Sequence, residues 1–175
     1  MTATATASHP DTATSARHQF REALTREHAT TLKVLNAFPA AKADFRPHER
    51  SNSARQLAWT FVVEQGLMLG ALSGDLKLSG KFPPAPDSFA DIVHQFSENM
   101  AKVTSALDAT SEQSLGETVK FFTGPGQMGN VPKIDVLWFA LSDQIHHRGQ
   151  LSVYVRMAGG KVPSIYGPSA DEPWT

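Results

Sequence analysis

Four runs of apolar residues recur at intervals of three and four, each separated from the next by a segment bearing proline or glycine. A chain so patterned can bury its apolar surface only as a set of amphipathic helices packed side by side. The first stripe is Phe20, Leu24, His28, Thr31, Leu35 and Phe38, closed by Pro39. The second is Leu57, Thr60, Phe61, Glu64, Met68 and Ala71 or Leu72, opened by Ser53 and Gln56 at the spacing of a capping box. The third, Phe89, Ile92, Val93, Phe96, Met100, Val103 and Leu107, follows Asp87 or Ser88 as cap and carries no chemistry. The fourth is Val136, Ala140, Asp143, His147, Leu151 and Tyr154; Pro132 and Asp135 suit its first turn and Gly159-Gly160 stops it. The spacing predicts helices over 13–38, 52–73, 87–108 and 132–158, an all-α bundle.

The intervening segments read as connections. Residues 39–51 carry Pro39 and Pro47, and Asp75 to Pro86, DLKLSGKFPPAP, is a crossover able to run the length of a helix. From Ala109 to Val131 helical patterning is lost: LGETVKFF alternates briefly, and TGPGQMGN reads as a glycine-rich loop over the open end of the bundle. Without a strand before it and a helix after it, that loop is a poor phosphate cradle. Residues 1–12, rich in threonine and alanine, are expected to form a disordered tail, leaving 13–175 as one domain. Beyond Gly160 three prolines exclude helix, and Ile165, Tyr166 and Trp174 are expected to pack this irregular tail against the bundle.

Composition removes several function classes. Sixteen basic and seventeen acidic residues leave a formal charge of −1 over 175 residues, which argues against nucleic acid and anionic membrane as partners. There is no cysteine, so disulfides, thiolate metal sites and a cysteine nucleophile are excluded, and any thiol chemistry needs an external thiol. No apolar run approaches the ~20 residues that span a bilayer, and the opening residues lack the pattern of a secretory signal, so the expected location is cytoplasmic.

The chemistry concentrates in DQIHHRGQ, Asp143 to Gln150. On a helix Asp143 lies beside His146 or His147 on one face, which is metal-ligand or acid/base spacing; a polar stripe with its hydrogen bonds satisfied is the competing reading. Thr60 and Glu64 lie one turn apart on an inward face. An unpaired polar group there costs about 1–3 kcal/mol, so Glu64 needs a cation, a proton or a metal, unless it sits at the stripe's edge against arginine or water. His28 either faces a site within the bundle or is a partly buried residue with a backbone or water partner. His94 falls off its stripe and is expected to be solvated.

The run HHRGQLSVYVRMAGGKVPSIYGPS, His146 to Ser169, resembles the end of the last helix and the tail of the DinB-like family, with weaker similarity through RPHERSNSARQLAW, Arg46 to Trp59. The resemblance implies a four-helix bundle with a long crossover, usually a homodimer, often with a divalent metal held by three histidines. It also implies the family's range of activities, among them thiol-dependent transferases and hydrolases. Carried over position by position, the ligand pattern falls on Thr60, Asp143 and His147, so only one of the three is histidine here. A carboxylate with an imidazole suits zinc, nickel, manganese or iron, whereas a hydroxyl is a poor ligand and Glu64, one turn on, is a stronger one. Three readings follow: a metal-dependent enzyme with His146 or Glu64 as general base, a metal-free module binding a small molecule or thiol, and a structural homodimer whose His-Arg-Gln cluster around Arg148 ties the tail to the bundle.

Overall fold

The computed structural model describes residues 15–78 and 83–174. Helix α1 spans Ala16–Ala37, α2 Ala54–Ser73, α3 Phe89–Ala109, α4 Glu112–Gly116 and α5 Lys133–Met157, with a 3-10 turn at Ala40–Lys42 and a hairpin of β1 (Thr118–Gly124) and β2 (Gln127–Pro132). The expected disordered segment 1–12 and part of the α2–α3 crossover lie outside the described residues.

Serine starts most of these helices. Ser15, Ser88 and Ser111 each accept a bond from the backbone N–H three residues on, relieving one of the orphan donors of a first turn. At α2 the arrangement is reciprocal: Ser53 Oγ takes the Gln56 N–H while the Gln56 side chain takes the Ser53 N–H. Ser88 rather than Asp87 is therefore the α3 cap. Asp87 instead meets Arg55 at 2.5 Å.

Helix α5 ends in paired glycines with two different duties. Gly159 adopts φ 83°, Gly159 N–H donates to Arg156 O and Gly160 N–H to Val155 O, closing a Schellman motif. Gly160 is needed for room: a Cβ there would lie 2.7 Å from Ala37 O and 2.9 Å from Val155 Cγ1. Gly160→Ala is expected to destabilise the fold by about 1–3 kcal/mol in urea denaturation. Gly149→Ala, where the Cβ meets nothing within 4 Å, should be neutral or stabilising by up to about 1 kcal/mol.

Contacts between elements set the topology. α5 packs on α1 and α2, and α3 on α2 and α1, closing a ring of four. Phe20 meets Trp138 and Glu27 meets Arg148, so α1 and α5 run parallel. Glu64 meets His147 and Asn52 O accepts from Tyr154, so α2 opposes α5. Arg55 with Asp87 and Gln65 with Phe96 O make α2 and α3 parallel, which is why a long crossover must return from the end of α2 to the start of α3.

The segment expected to be a loop after α3 is ordered. β1 and β2 pair antiparallel from Thr118↔Pro132 to Gly124↔Gln127, with a bulge between Phe122 and Gly124, and Gly126 takes the φ of 69° that the Pro125-Gly126 turn requires. Alternation carries Val119 and Phe121 inward against the α1, α2 and α5 side chains at that end. TGPGQMGN is thus the end of β1, a turn and the first part of β2. Only two inward residues mark β1, which is why its period-2 signal is faint.

The core divides in two. One apolar half gathers Phe20, Leu24, Met68, Leu107, Leu137 and Leu141, the other Leu35, Phe61, Ile92, Phe96, Leu151 and Val155. Between them lies a layer of buried polar groups: Glu27 and Thr31 of α1, Glu64 and Gln65 of α2, Asn99 of α3, Gln144 and Arg148 of α5. Glu27, rather than His28, takes the inward position on α1. His28 sits half-buried at the edge, stacked on Phe96 with ring centroids 4.5 Å apart, and burial holds its imidazole below the usual pKa.

The C-terminal tail is held differently from expectation. Ile165 packs on the second apolar half, but Tyr166 and Trp174 are mostly exposed. Polar contacts do most of the fastening: Asp171 pairs with Arg156 and accepts Val162 N–H, Glu172 accepts Ser164 N–H, and the Tyr166 hydroxyl donates to Glu27.

Candidate metal centre

The polar layer opens to solvent between α2 and α5. Asp143 and His147, one turn apart on α5, face Glu64 on α2, and one ligand atom from each lies within 4.8 Å of the other two. His147 Nδ1 stands 2.8 Å from Glu64 Oε1 and 3.9 Å from Asp143 Oδ2. Exposure rises from the inside out: the Glu64 side chain is 6% exposed, His147 21% and Asp143 39%. A cluster graded in this way has a dry inner wall and a wet mouth. Gln144 Nε2 reaches Phe61 O at 3.4 Å, and the edge of Phe61 flanks the His147 ring at 6.4 Å.

Electrostatics mark Glu64 as the unusual member. Burial first, then the charge and hydrogen bonding of Asp143, push its carboxyl up to about 10, so without a cation Glu64 is a neutral acid at pH 7. Its Oε2 is buried and has no hydrogen-bond partner among the described residues. Two carboxylates and an imidazole form a hard, anionic donor set of the kind that divalent zinc, manganese, iron or nickel accepts. A dication would also offset the burial and the Asp143 charge that together hold the proton on Glu64. The residues present therefore fit such an ion.

Thr60 and His146, also singled out in the sequence, share the helices that carry this cluster. Thr60, one turn before Glu64, donates its hydroxyl to Leu57 O at 2.6 Å, and that proton is spent within its own helix. His146 is exposed, its ring centroid 5.4 Å from that of His147 and its Nε2 3.0 Å from Gln150 Nε2. His94 is exposed and meets Glu98 at 3.3 Å.

Sequence reasoning placed Arg148 in the chemical stretch of α5 but missed its burial and its pairing with Glu27. Arg148, 1% exposed, donates to Glu27 Oε2 at 2.7 Å and to Glu27 O and Thr31 Oγ1 at 3.2 Å. It also bonds the Tyr166 hydroxyl, with its guanidinium 5.0 Å from that ring's centroid. The signal was present: Leu141, Gln144, Arg148, Leu151 and Val155 recur at helical spacing as a second buried line on α5.

The fold and site together define a helical bundle whose middle layer carries a cluster able to hold a metal. The model of the DinB family matches residues 10–174, and the chain belongs to that family. It is 30% identical over 145 residues to the uncharacterized protein YrdA of Bacillus subtilis (strain 168), an alignment covering 81% of this chain and 83% of that one. Among solved structures it resembles a DinB-like protein from Bacillus cereus ATCC 10987, with a TM-score of 0.70 and 25% identity over 84% of this chain and 95% of the other. The DinB-like protein YjoA of Bacillus subtilis shares the fold with a TM-score of 0.65 at 20% identity, over 83% and 95% of the two chains. No helix among the described residues is long and apolar enough to cross a membrane.

Proposed function

We propose that this chain is a divalent-metal-dependent enzyme, a transferase using a low-molecular-weight thiol or a hydrolase using water, with Glu64, Asp143 and His147 as its metal ligands. The observation that carries the reading is Glu64 Oε2, a buried carboxyl oxygen without a hydrogen-bond partner among the described residues, in a cluster of ligand atoms within 4.8 Å of one another. In this reading Glu64 replaces Thr60 as the α2 ligand, since the Thr60 hydroxyl is committed to Leu57 O. When bound, such an ion supplies the Lewis acidity that makes a thiol or water a nucleophile near neutral pH. With no cysteine in the chain, a thiol has to arrive as co-substrate. Phe61 screens the inner side of His147 from water, and Asp143 faces the entry. His146, exposed beside His147, is assigned as the base that takes the nucleophile's proton.

Protein purified without chelator or affinity tag is expected to retain close to one equivalent of metal per chain by elemental analysis. After stripping, calorimetric titration with zinc, nickel or manganese should recover one site, and His147→Ala should abolish it. Saturating metal should also raise the melting temperature, because a ligand at 100 times its Kd stabilises the native state by about 2.7 kcal/mol. Wild type taking up no more metal than His147→Ala would refute the proposal.

A further inference from the structure

The seam between α2 and α5 runs on past the cluster to the contact of Tyr154 with Asn52 O. On α2, Glu64, Thr60 and Leu57 recur at helical spacing, and on the opposing α5 so do Asp143, His147, Gln150 and Tyr154. At the far end of the seam a cavity of about 410 Å³ is lined by Leu57, Gln150, Val153 and Tyr154 together with Pro47, Ser51 and Asn52 of the α1–α2 connection. At 1.5 Å rise per residue this cavity begins roughly 5 Å along the axis from His147. Its wall is fixed in place: Tyr154 donates its hydroxyl to Asn52 O at 3.0 Å, and Arg46 donates to Ser51 O at 3.0 Å.

The chemistry of the lining narrows what fits. Leu57, Pro47, Val153 and the Tyr154 ring form an apolar bed; Ser51, Asn52 and Gln150 bring neutral polar groups. None of the seven carries a formal charge at pH 7, and the one phenol is already spent on Asn52 O. The volume lies within the range of small-molecule sites.

We infer that this cavity is the substrate subsite of the metal centre, and that it takes an uncharged small molecule with an apolar body and an amide- or hydroxyl-type polar edge, its reacting end directed at Glu64, Asp143 and His147. The inference rests on the metal-centre reading for what the ligand meets at the inner end. The cavity's selectivity for neutral molecules rests on its own lining.

The test uses three probes of matched size and different charge: benzamide, benzoate and benzylammonium, each titrated into the 15N-labelled full chain with and without zinc. Benzamide is expected to shift the amide resonances of Asn52, Gln150 and Val153 and to bind about tenfold or more tightly than either charged probe. Val153→Trp fills the cavity from a side chain that is 54% exposed, so the fold should survive. It is expected to weaken benzamide about tenfold or more while leaving calorimetric zinc affinity unchanged. With manganese bound, the benzamide protons should broaden in wild type. Benzamide that shifts no groove resonance, benzoate that binds as tightly, or a Val153→Trp variant that binds benzamide normally would each overturn the inference. Zinc binding without benzamide binding refutes the subsite alone; benzamide binding in the groove without zinc binding refutes the metal centre and leaves the groove as a ligand site.

Discussion

Arg148→Met is expected to destabilise the protein by about 3–5 kcal/mol in urea denaturation at pH 7, one of the largest losses any single substitution here should produce. The cause is what remains behind. Glu27 is buried and loses its charged partner at 2.7 Å, Thr31 loses a donor, and the Tyr166 hydroxyl is left against an uncompensated carboxylate. The phenol already feels this surrounding, since burial and then Glu27 push the Tyr166 pKa upward. Removing both charges differs in kind from removing one. Glu27→Leu combined with Arg148→Met should recover most of the loss, because an apolar pair of similar volume escapes the desolvation that the ion pair must offset. A single variant within about 1 kcal/mol of wild type would show that Glu27 finds another partner or water, and the pair would lose its structural role.

Glu64→Gln is expected to act in two opposite directions. It should abolish metal uptake, since an amide oxygen is a far weaker ligand than a carboxylate, and it should stabilise the metal-free protein at neutral and alkaline pH. The sign follows from the proton count. Glu64 has its carboxyl raised from 4.5 to about 10 in the folded state, so between those values the native protein holds a proton that the unfolded chain has released. Stability of the metal-free wild type therefore falls as pH rises above 4.5 and continues to fall toward 10. By pH 7 the interval is 2.5 pH units (7 − 4.5), an upper limit of about 3 kcal/mol. Glutamine has no proton to lose, and the variant should lack this slope. Melting temperatures of the two metal-free proteins from pH 5 to 9 check the claim; parallel curves would mean that Glu64 is ionised in the fold.

These two residues also mark how far the sequence could be read. The helices were legible because their ends are written locally: Ser53 and Gln56, Ser88, and Gly159-Gly160 announce caps that the structure forms. Glu64 stood out because a carboxylate on an otherwise apolar line demands a partner, and His147 supplies a contact at 2.8 Å. The burial of Arg148 went unread because an arginine breaks the apolar pattern used to find buried faces, and its counter-charge lies 121 positions away. The choice of His28 over Glu27 on α1 came from the same preference, since the two positions differ by a single step around the helix. The hairpin was lost for want of length: Val119 and Phe121 are two inward residues, and two residues do not establish a period.

The ring of four helices has a consequence for how the molecule is made. α5 follows α1, α2 and α3 in the chain, yet it contributes to both apolar halves and supplies Gln144, His147 and Arg148 to the layer between them. During synthesis the earlier helices leave the ribosome with Glu27 and Glu64 in water, ionised and unmatched, until their distant partners emerge. Closing contacts of such sequence separation is slow, because the loop entropy is lost before any contact compensates for it. The cluster at Glu64, Asp143 and His147 therefore comes into being in the same step that completes the core. A nascent chain truncated before α5 is expected to remain open to proteases.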